Sequence, residues 1–283
     1  MLQKSNHRRR GQMSESFLTA GFLSLSGGLQ DAYTYMSRGK VFANAQTGNI
    51  VLLSQSLGAK DWPLAIHYLV PLLSFALGVA AAEGIRQSYQ QLRKVHWRQL
   101  VLMIEIILLF LVGFLPERWN LIANAMVSFS CAMQVQAFRK VNGYGFASTM
   151  CIGNMRSAME SVCAYRVTKS RKTLHKAACY FGIIFLFALG AGLGGYFLPN
   201  FGMHTIWFSC LLLLVSFSLM FLREEIEENP KLQKEEQILK EEVKAVKEEK
   251  EALRKDLRKD LAQDLREEVS EEASELRDVL KKK

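Results

Sequence analysis

Two short polar segments of this 283-residue chain carry side chains suited to binding a solute. In the first, four polar side chains lie within six positions: Asn44, Gln46, Thr47 and Asn49. The second contains the pair Gly153-Asn154. Amide and hydroxyl groups donate and accept hydrogen bonds, so they suit a polar solute or backbone groups that are freed at a turn.

Ionisable residues within apolar runs are further candidates, because charges buried in a membrane are costly and often functional. Asp31 follows Gly27, Gly28 and Gln30, which make that face of its run small and polar, so we expect Asp31 beside a solute site. Arg156 lies four residues before Glu160, and hence on one helix face with it. Arg156 is expected to contact a solute or Asp31, or else to form a structural pair. Glu105 lies near the start of its run, where a structural role is expected.

Sequence patterns typical of enzymes and metal sites are absent. The chain has no GxSxG, HExxH or P-loop pattern, and its charged candidates have no accompanying nucleophile. The five cysteines lie in or beside apolar runs without a CxxC pair, which is typical of inert buried thiols. They are Cys131, Cys151, Cys163, Cys179 and Cys210. We therefore predict no enzymatic activity, no catalytic residues, no metal and no cofactor.

Six apolar runs approach the roughly 20 residues that cross a bilayer. They are Phe17 to Met36, Leu64 to Ala82, Leu100 to Leu115, Leu121 to Phe138, Ala177 to Leu198 and Ile206 to Leu222. Residues 1–223 contain 21 basic and 7 acidic residues, whereas residues 224–283 contain 15 and 20. This contrast predicts an apolar membrane part with basic loops, followed by an acidic tail.

The membrane part contains an internal repeat. A shift of 105 residues aligns residues 26–49 with residues 131–154, and both segments end in Gly-Asn. The sequence FALG occurs at 75–78 and again at 187–190, each time before a stretch of small residues. Small residues let membrane helices approach closely, so we expect these helices to pack against the polar segments. The order of the shared features indicates a duplicated half.

The charge distribution decides how the halves are oriented. Cytoplasmic loops of membrane proteins are enriched in Lys and Arg. If residues 38–58 and 139–165 enter and leave the membrane on the same side, the basic loop 86–98 lies in the cytoplasm with both chain termini. Only four basic residues then lie outside: Arg38, Lys40, Lys60 and Arg118. This predicts six spans and two re-entrant segments arranged as an inverted repeat.

The re-entrant segments are expected to form half-helices that begin at glycine turns. Asn49 to Leu57 would be about 14 Å long, roughly half of the hydrocarbon core. Turns at 47–49 and 152–154 would direct two helix N-termini at the midplane, which favours a small polar or anionic solute. The predicted substrate-binding residues are Asp31, Gln46, Thr47, Gly48, Asn49, Gly153, Asn154 and Arg156.

The C-terminal tail has apolar residues spaced three or four apart between Leu232 and Leu280, a pattern typical of a long helix. The early spacing suits a coiled coil, so residues 231–280 are predicted to self-associate or to bind a protein partner. The acidic charge argues against nucleic acid as a partner. A membrane-anchored interaction or scaffold protein acting through this helix is therefore the alternative to a transporter or channel.

The motifs "GGLQDAYTY" and "QTGNIVLL", together with Met133, Gln134, Ala137 and Arg139, resemble the YoaK-like family of uncharacterised bacterial multi-pass membrane proteins. The resemblance covers roughly residues 15–222 and implies the bacterial inner membrane. It carries over Gly27, Gly28, Asp31, Gln46 to Asn49, Gln134, Arg139 and Gly153. At the second turn Ile152 stands where the family has threonine.

The complete prediction is an all-α membrane protein with six transmembrane helices, two re-entrant half-helices and a cytoplasmic C-terminal helix. Its parts are a basic cytoplasmic N-terminus at 1–14, repeat one at 15–118, repeat two at 119–223 and the charged tail at 224–283. Its expected partners are a small solute or ion and the lipid bilayer.

Overall fold

The computed structural model describes residues 16–89 and 97–228, with side chains as far as Phe221. The chain divides after Arg223 into two compact units, and the first contains nearly all of the described residues. The predicted N-terminal segment 1–14, part of the basic loop 86–98 and the predicted helix in 231–280 lie outside the described residues.

The described unit is almost entirely helical. The helices are α1 Phe17–Ser37, α2 Gln46–Gly58, α3 Trp62–Tyr89, α4 Trp97–Val112, α5 Asn120–Ala137, α6 Cys151–Thr168, α7 Arg171–Phe201 and α8 Ile206–Glu228. Short 3-10 turns, Glu117–Trp119 and Gly202–Thr205, precede α5 and α8. Each of the six predicted apolar runs coincides with a helix, namely α1, α3, α4, α5, α7 and α8. A helix also begins within each of the two polar segments.

Two stretches of the described residues are long and apolar enough to cross a bilayer. They are Trp62–Tyr89, which is α3, and Arg171–Phe221, which contains α7 and most of α8. Helix α1 carries buried polar residues, including Gln30, Asp31 and Thr34, that lower its average apolar character. Helix α4 is apolar but has only 16 residues. The finer six-span topology remains a prediction.

Close contacts between helix backbones hold the long helices together in two pairs. A Cβ atom added to Gly28 of α1 would lie 1.9 Å from the carbonyl oxygen of Phe187 in α7. A Cβ on Gly190 of α7 would lie 1.9 Å from the carbonyl oxygen of Leu25. The second pair has a similar glycine contact, since a Cβ on Gly78 of α3 would lie 2.3 Å from the Phe129 carbonyl oxygen of α5. Both FALG glycines thus pack on the first long helix of the other half.

The two helices that begin in the polar segments lie against these pairs, as the sequence predicted, with α2 on α3 and α6 on α7. They are longer than the half-helices that we predicted. Helix α2 begins at Gln46 and has 13 residues, about 20 Å, while α6 begins at Cys151 and has 18 residues, about 27 Å. The glycines of the two turns therefore lie inside the helices, because the turns occur before Gln46 and before Cys151.

A small hairpin precedes α6, where we expected only extended chain. Strands β1 Lys140–Val141 and β2 Tyr144–Gly145 pair antiparallel, with Val141 opposite Tyr144. Asn142 and Gly143 form its turn with φ values of 48° and 79°. This backbone is typical of the two-residue turn that Asn-Gly favours. The Tyr180 hydroxyl donates to the Gly145 carbonyl oxygen at 2.6 Å and so fixes the hairpin to α7.

The side chain of Arg38, which the sequence places in a loop on the outer side, is fully buried within the protein. Its guanidinium donates to the Tyr33 hydroxyl at 2.6 Å and to the carbonyl oxygen of Val112, the last residue of α4, at 3.0 Å. It also donates to Pro116 O at 3.3 Å and Asn120 Oδ1 at 3.1 Å. The C-terminal carbonyl groups of a helix attract a cation, which explains why this arginine is drawn inward.

Candidate solute-binding site

A cavity of about 770 Å³ lies where α2 and α6 begin. It is lined by α1 through Asp31, by the first residues of α2 through Gln46 and Thr47, and by the first residues of α6 through Gly153. The phenylalanines of both FALG motifs, Phe75 and Phe187, complete its wall together with Thr149, Met150, Cys151 and other residues. The structure thus brings together residues of both halves that the sequence analysis selected.

Four of the eight predicted site residues line this cavity, and the other four do not. Those that line it are Asp31, Gln46, Thr47 and Gly153. Gly48 lies beside the ring of Phe42. Arg156 is bound to Glu160 at 2.9 Å, and its side chain is 82% exposed. Arg156 therefore forms a surface pair within α6, which is the structural alternative that the sequence left open.

Asn49 and Asn154 fix the turns that lead into the two helices. The side chain of Asn49 accepts from Phe42 N at 3.1 Å and donates to Phe42 O at 2.7 Å. Asn154 makes the same two bonds with the backbone of Ala147, at 3.4 and 2.7 Å. In both cases the partner lies seven residues earlier, and the two sets are 105 residues apart. These asparagines therefore hold the loops that precede α2 and α6, and they do not line the cavity.

Removal of the side-chain amide of Asn49 or Asn154 should loosen the loop that it holds, without disturbing the α1–α7 and α3–α5 pairs. We expect Asn49→Ala and Asn154→Ala each to lower the free energy of unfolding by about 1–2 kcal/mol, since each leaves partly buried backbone groups unpaired. Thermal unfolding of the purified protein measures this, with Asn200→Ala at the exposed end of α7 as the control. A loss of stability no larger than that of the control would show that these asparagines do not hold the loops.

The two adjacent glycines of α1, Gly27 and Gly28, have separate roles. Gly28 faces α7, as described above, whereas Gly27 faces the loops. A Cβ on Gly27 would lie 2.4 Å from Cγ2 of Thr149, and the Gly27 carbonyl oxygen accepts from Asn44 Nδ2 at 3.2 Å. Gly27 thus lets the loop before α2 and the loop before α6 meet on the same part of α1.

Asp31 is the acidic residue of the cavity. Its Oδ1 accepts from the backbone N–H of Asn44 at 2.8 Å, which ties α1 to the loop before α2. The residue is 7% exposed and is the one acid among the described lining residues, which include no lysine or arginine. Within a largely apolar wall, this carboxyl group is placed to accept hydrogen bonds from a bound solute.

A buried polar network lies behind the cavity, and the sequence analysis did not assign it to the site. Glu105 Oε1 accepts from Gln30 Nε2 at 3.3 Å and from Gln134 Nε2 at 3.2 Å. Gln134 Oε1 accepts in turn from the Ser148 hydroxyl at 2.9 Å. Two features of the sequence indicated this network, namely the polar residue Gln30 within an apolar run and the family residue Gln134. Glu105 was expected near the end of its helix, and burial was therefore not predicted. It is in fact fully buried.

Comparison with known proteins agrees with the resemblance seen in the sequence. The family described as "Protein of unknown function (DUF1275)" matches residues 19–219. The UPF0700 transmembrane protein YoaK of Bacillus subtilis (strain 168) is 26% identical over 200 residues, which cover 68% of this chain and 88% of that protein. No solved structure matches. The predicted YoaK-like family is therefore confirmed.

Proposed function

We propose, since the chain belongs to the DUF1275 family of membrane proteins of unknown function, that it moves a small polar solute across the membrane through the cavity between α2 and α6. The observation that carries this proposal is the meeting of two helix starts from different halves at one cavity. Inverted repeats with helices that begin at mid-membrane are typical of secondary transporters.

The proposed topology has six spans, with α2 and α6 entering the membrane from opposite sides. Asn49 and Asn154 make the same bonds to backbone seven residues earlier, and the FALG glycine of each half makes a close helix contact. This repetition supports two equivalent halves. The polar composition of α6, with Arg156, Glu160 and Arg166, argues that it does not itself face lipid across the whole bilayer. The basic loops then lie in the cytoplasm, with both chain termini.

Exposed positions offer a direct test of this topology. We expect Lys60→Cys, after α2, to react with an impermeant maleimide added to intact cells, and Lys172→Cys, at the start of α7, to react only after lysis. Both side chains are exposed in the protein, so access is decided by the membrane. The five native cysteines are replaced in this background. Labelling of both positions in intact cells, or of neither, would contradict the proposed orientation.

The charges around the cavity narrow the solute class. Each helix N-terminus contributes roughly half a positive charge, and Asp31 contributes one negative charge when ionised. Arg156, the basic residue that was predicted to contact a solute or Asp31, lies at the surface with Glu160 and adds no charge to the cavity. These opposite charges nearly balance when Asp31 is ionised, so a small neutral solute with a hydroxyl or amide group suits the cavity better than an anion does.

Cys151 provides a native reporter of access, because it lines the cavity. In a chain that keeps only this cysteine, we expect impermeant methanethiosulfonates to react from outside in intact cells and from the cytoplasmic side in inverted vesicles. Alternating access requires both reactions, whereas a sealed structural cavity allows neither. Reaction from one side alone would contradict a transport pathway.

The same reporter tests the role of Asp31. We expect Asp31→Asn to lower the ratio of cationic to anionic reagent rates at Cys151, relative to the same ratio at the exposed Cys163, roughly five- to tenfold. A single-cysteine Cys163 chain corrects for the intrinsic reactivity of the two reagents. An unchanged ratio in Asp31→Asn would show that this carboxyl group does not set the charge preference.

Flux measurements separate transport from the alternative of an interaction protein. Proteoliposomes containing the chain are tested with labelled choline, glycerol and methanesulfonate, which represent cationic, neutral and anionic solutes, and protein-free liposomes correct for passive leak. Deletion of 230–283 should leave flux intact if the membrane part is the transporter. Loss of a cellular phenotype on this deletion, without flux of any probe in the full chain, would favour the interaction role.

A further inference from the structure

The carboxyl group of Glu105 is the most deeply buried charged group of the network behind the cavity. It lies among α1, α5 and α8, and both of its hydrogen bonds come from neutral amide groups, those of Gln30 and Gln134, to the same oxygen. The other oxygen, Oε2, is buried and has no hydrogen-bond partner among the described residues. An unpaired carboxylate oxygen is unusual at such a position.

Elementary electrostatics disfavours a permanent charge there. A carboxylate removed from water requires a cation or several donors, and otherwise takes up a proton. The ionisable groups that face Glu105 from neighbouring helices are the thiols of Cys131 on α5 and Cys210 on α8, with Asp31 farther along α1. None of these carries a positive charge, so none stabilises the ionised form. A proton on Oε2 removes the charge.

The network connects this carboxyl group to the cavity through two arms. On α1, Gln30 immediately precedes Asp31, which lines the cavity. On α5, Gln134 binds Ser148, and the next residue, Thr149, both lines the cavity and lies against Gly27. Hydrogen bonds to an ionised carboxylate are shorter and stronger than those to a neutral acid. A change of charge at Glu105 therefore changes the forces on both cavity walls.

We propose that Glu105 is a proton-binding site whose occupancy controls the cavity, so that solute movement is coupled to proton movement. A proton from water forms an O–H bond at Oε2 and neutralises the carboxylate, and the same bond breaks when the proton returns to water on the opposite side. No other reactant is consumed. The coupling rests on the proposed transport function, whereas the proton site itself does not.

Infrared spectroscopy of the full chain in lipid bilayers tests the site without knowledge of the solute. We expect the carbonyl stretch of a protonated, buried carboxylic acid at neutral pH, its loss in Glu105→Gln and its retention in Glu83→Gln. Glu83 is the matched control, because it lies in α3 in a salt bridge with Arg86. Glu105→Asp should shift the band rather than remove it, which guards against a folding defect in Glu105→Gln. A wild-type band that keeps its full intensity in Glu105→Gln, or no band at all, would overturn the proposal.

A bimane fluorophore on Cys151, in a chain without the other cysteines, tests the connection to the cavity. We expect its emission to shift with pH in this chain and to stay constant after Glu105→Gln. A shift that is equal in both would refute the coupling.

Proteoliposome flux then separates the two proposals. If the infrared band and the pH-dependent emission shift both occur but no probe crosses the bilayer, transport fails and the proton site stands. If a probe crosses but a pH gradient drives its accumulation equally in wild type and Glu105→Gln, coupling fails and transport stands. Accumulation that is lost only in Glu105→Gln, with exchange of the probe retained, is the result we expect.

Discussion

Gly190→Ala should strongly reduce the amount of folded protein, even though alanine is the better helix former. The added methyl group would lie 1.9 Å from the carbonyl oxygen of Leu25 and 3.0 Å from its Cα, so two helix backbones must separate. Overpacking in a tight core costs about 1–3 kcal/mol and sometimes more. That cost is a large part of the roughly 5–15 kcal/mol that stabilises an ordinary domain.

Gly192 on the same helix provides a matched control, because a Cβ there meets nothing within 4 Å. We expect Gly192→Ala to leave the unfolding temperature unchanged or slightly raised, since glycine within a helix costs about 1 kcal/mol relative to alanine. Thermal unfolding followed by size-exclusion chromatography compares the two variants. Equal stability of Gly190→Ala and Gly192→Ala would show that the α1–α7 contact is not as tight as described.

Arg38→Met is the second substitution with a large expected effect, which we place at about 3 kcal/mol or more of lost stability. The substitution removes the donor to the buried Tyr33 hydroxyl and one of the two donors to the Val112 carbonyl oxygen, which keeps its bond from Leu115 N. Buried groups that lose their partner cost about 1–3 kcal/mol each. The C-terminal end of α4 also loses a cation that interacts favourably with the helix dipole.

Two further variants distinguish a specific role from a general effect of charge. Arg38→Lys should recover part of the stability at most, because an ammonium group cannot reproduce the planar fork of donors. Lys40→Met, at an exposed position two residues later, should have little effect. The unfolding temperature of the three proteins is the measurement. Similar losses at positions 38 and 40 would contradict the buried role of Arg38.

The helical elements were predictable from sequence because they depend on apolar composition, which is a local property. Each predicted run lies within a few residues of a helix, as for α1 and Phe17 to Met36. The Asn142-Gly143 hairpin could also have been predicted, since that dipeptide favours one turn type. Only extended chain was expected there.

The chemistry of the site was only partly predictable, because side-chain partners depend on tertiary contacts. Asp31 and Gln46 could be selected by their unusual position among apolar residues. The roles of Asn49 and Asn154 could not, since each binds backbone that lies seven residues away. Nor could the inward path of Arg38, because its acceptors come from α4 and the turn that follows.

The exchange of partners between the halves has a consequence for biosynthesis. Helix α1 finds its tight contact in α7, which the ribosome makes well over a hundred residues later, whereas α3 meets α5 soon after both are made. During that interval the polar face of α1, with Gln30 and Asp31, must be sheltered by the insertion machinery or a chaperone. Nascent chains that stop before α7 should therefore be recognised as incomplete and degraded by membrane quality control.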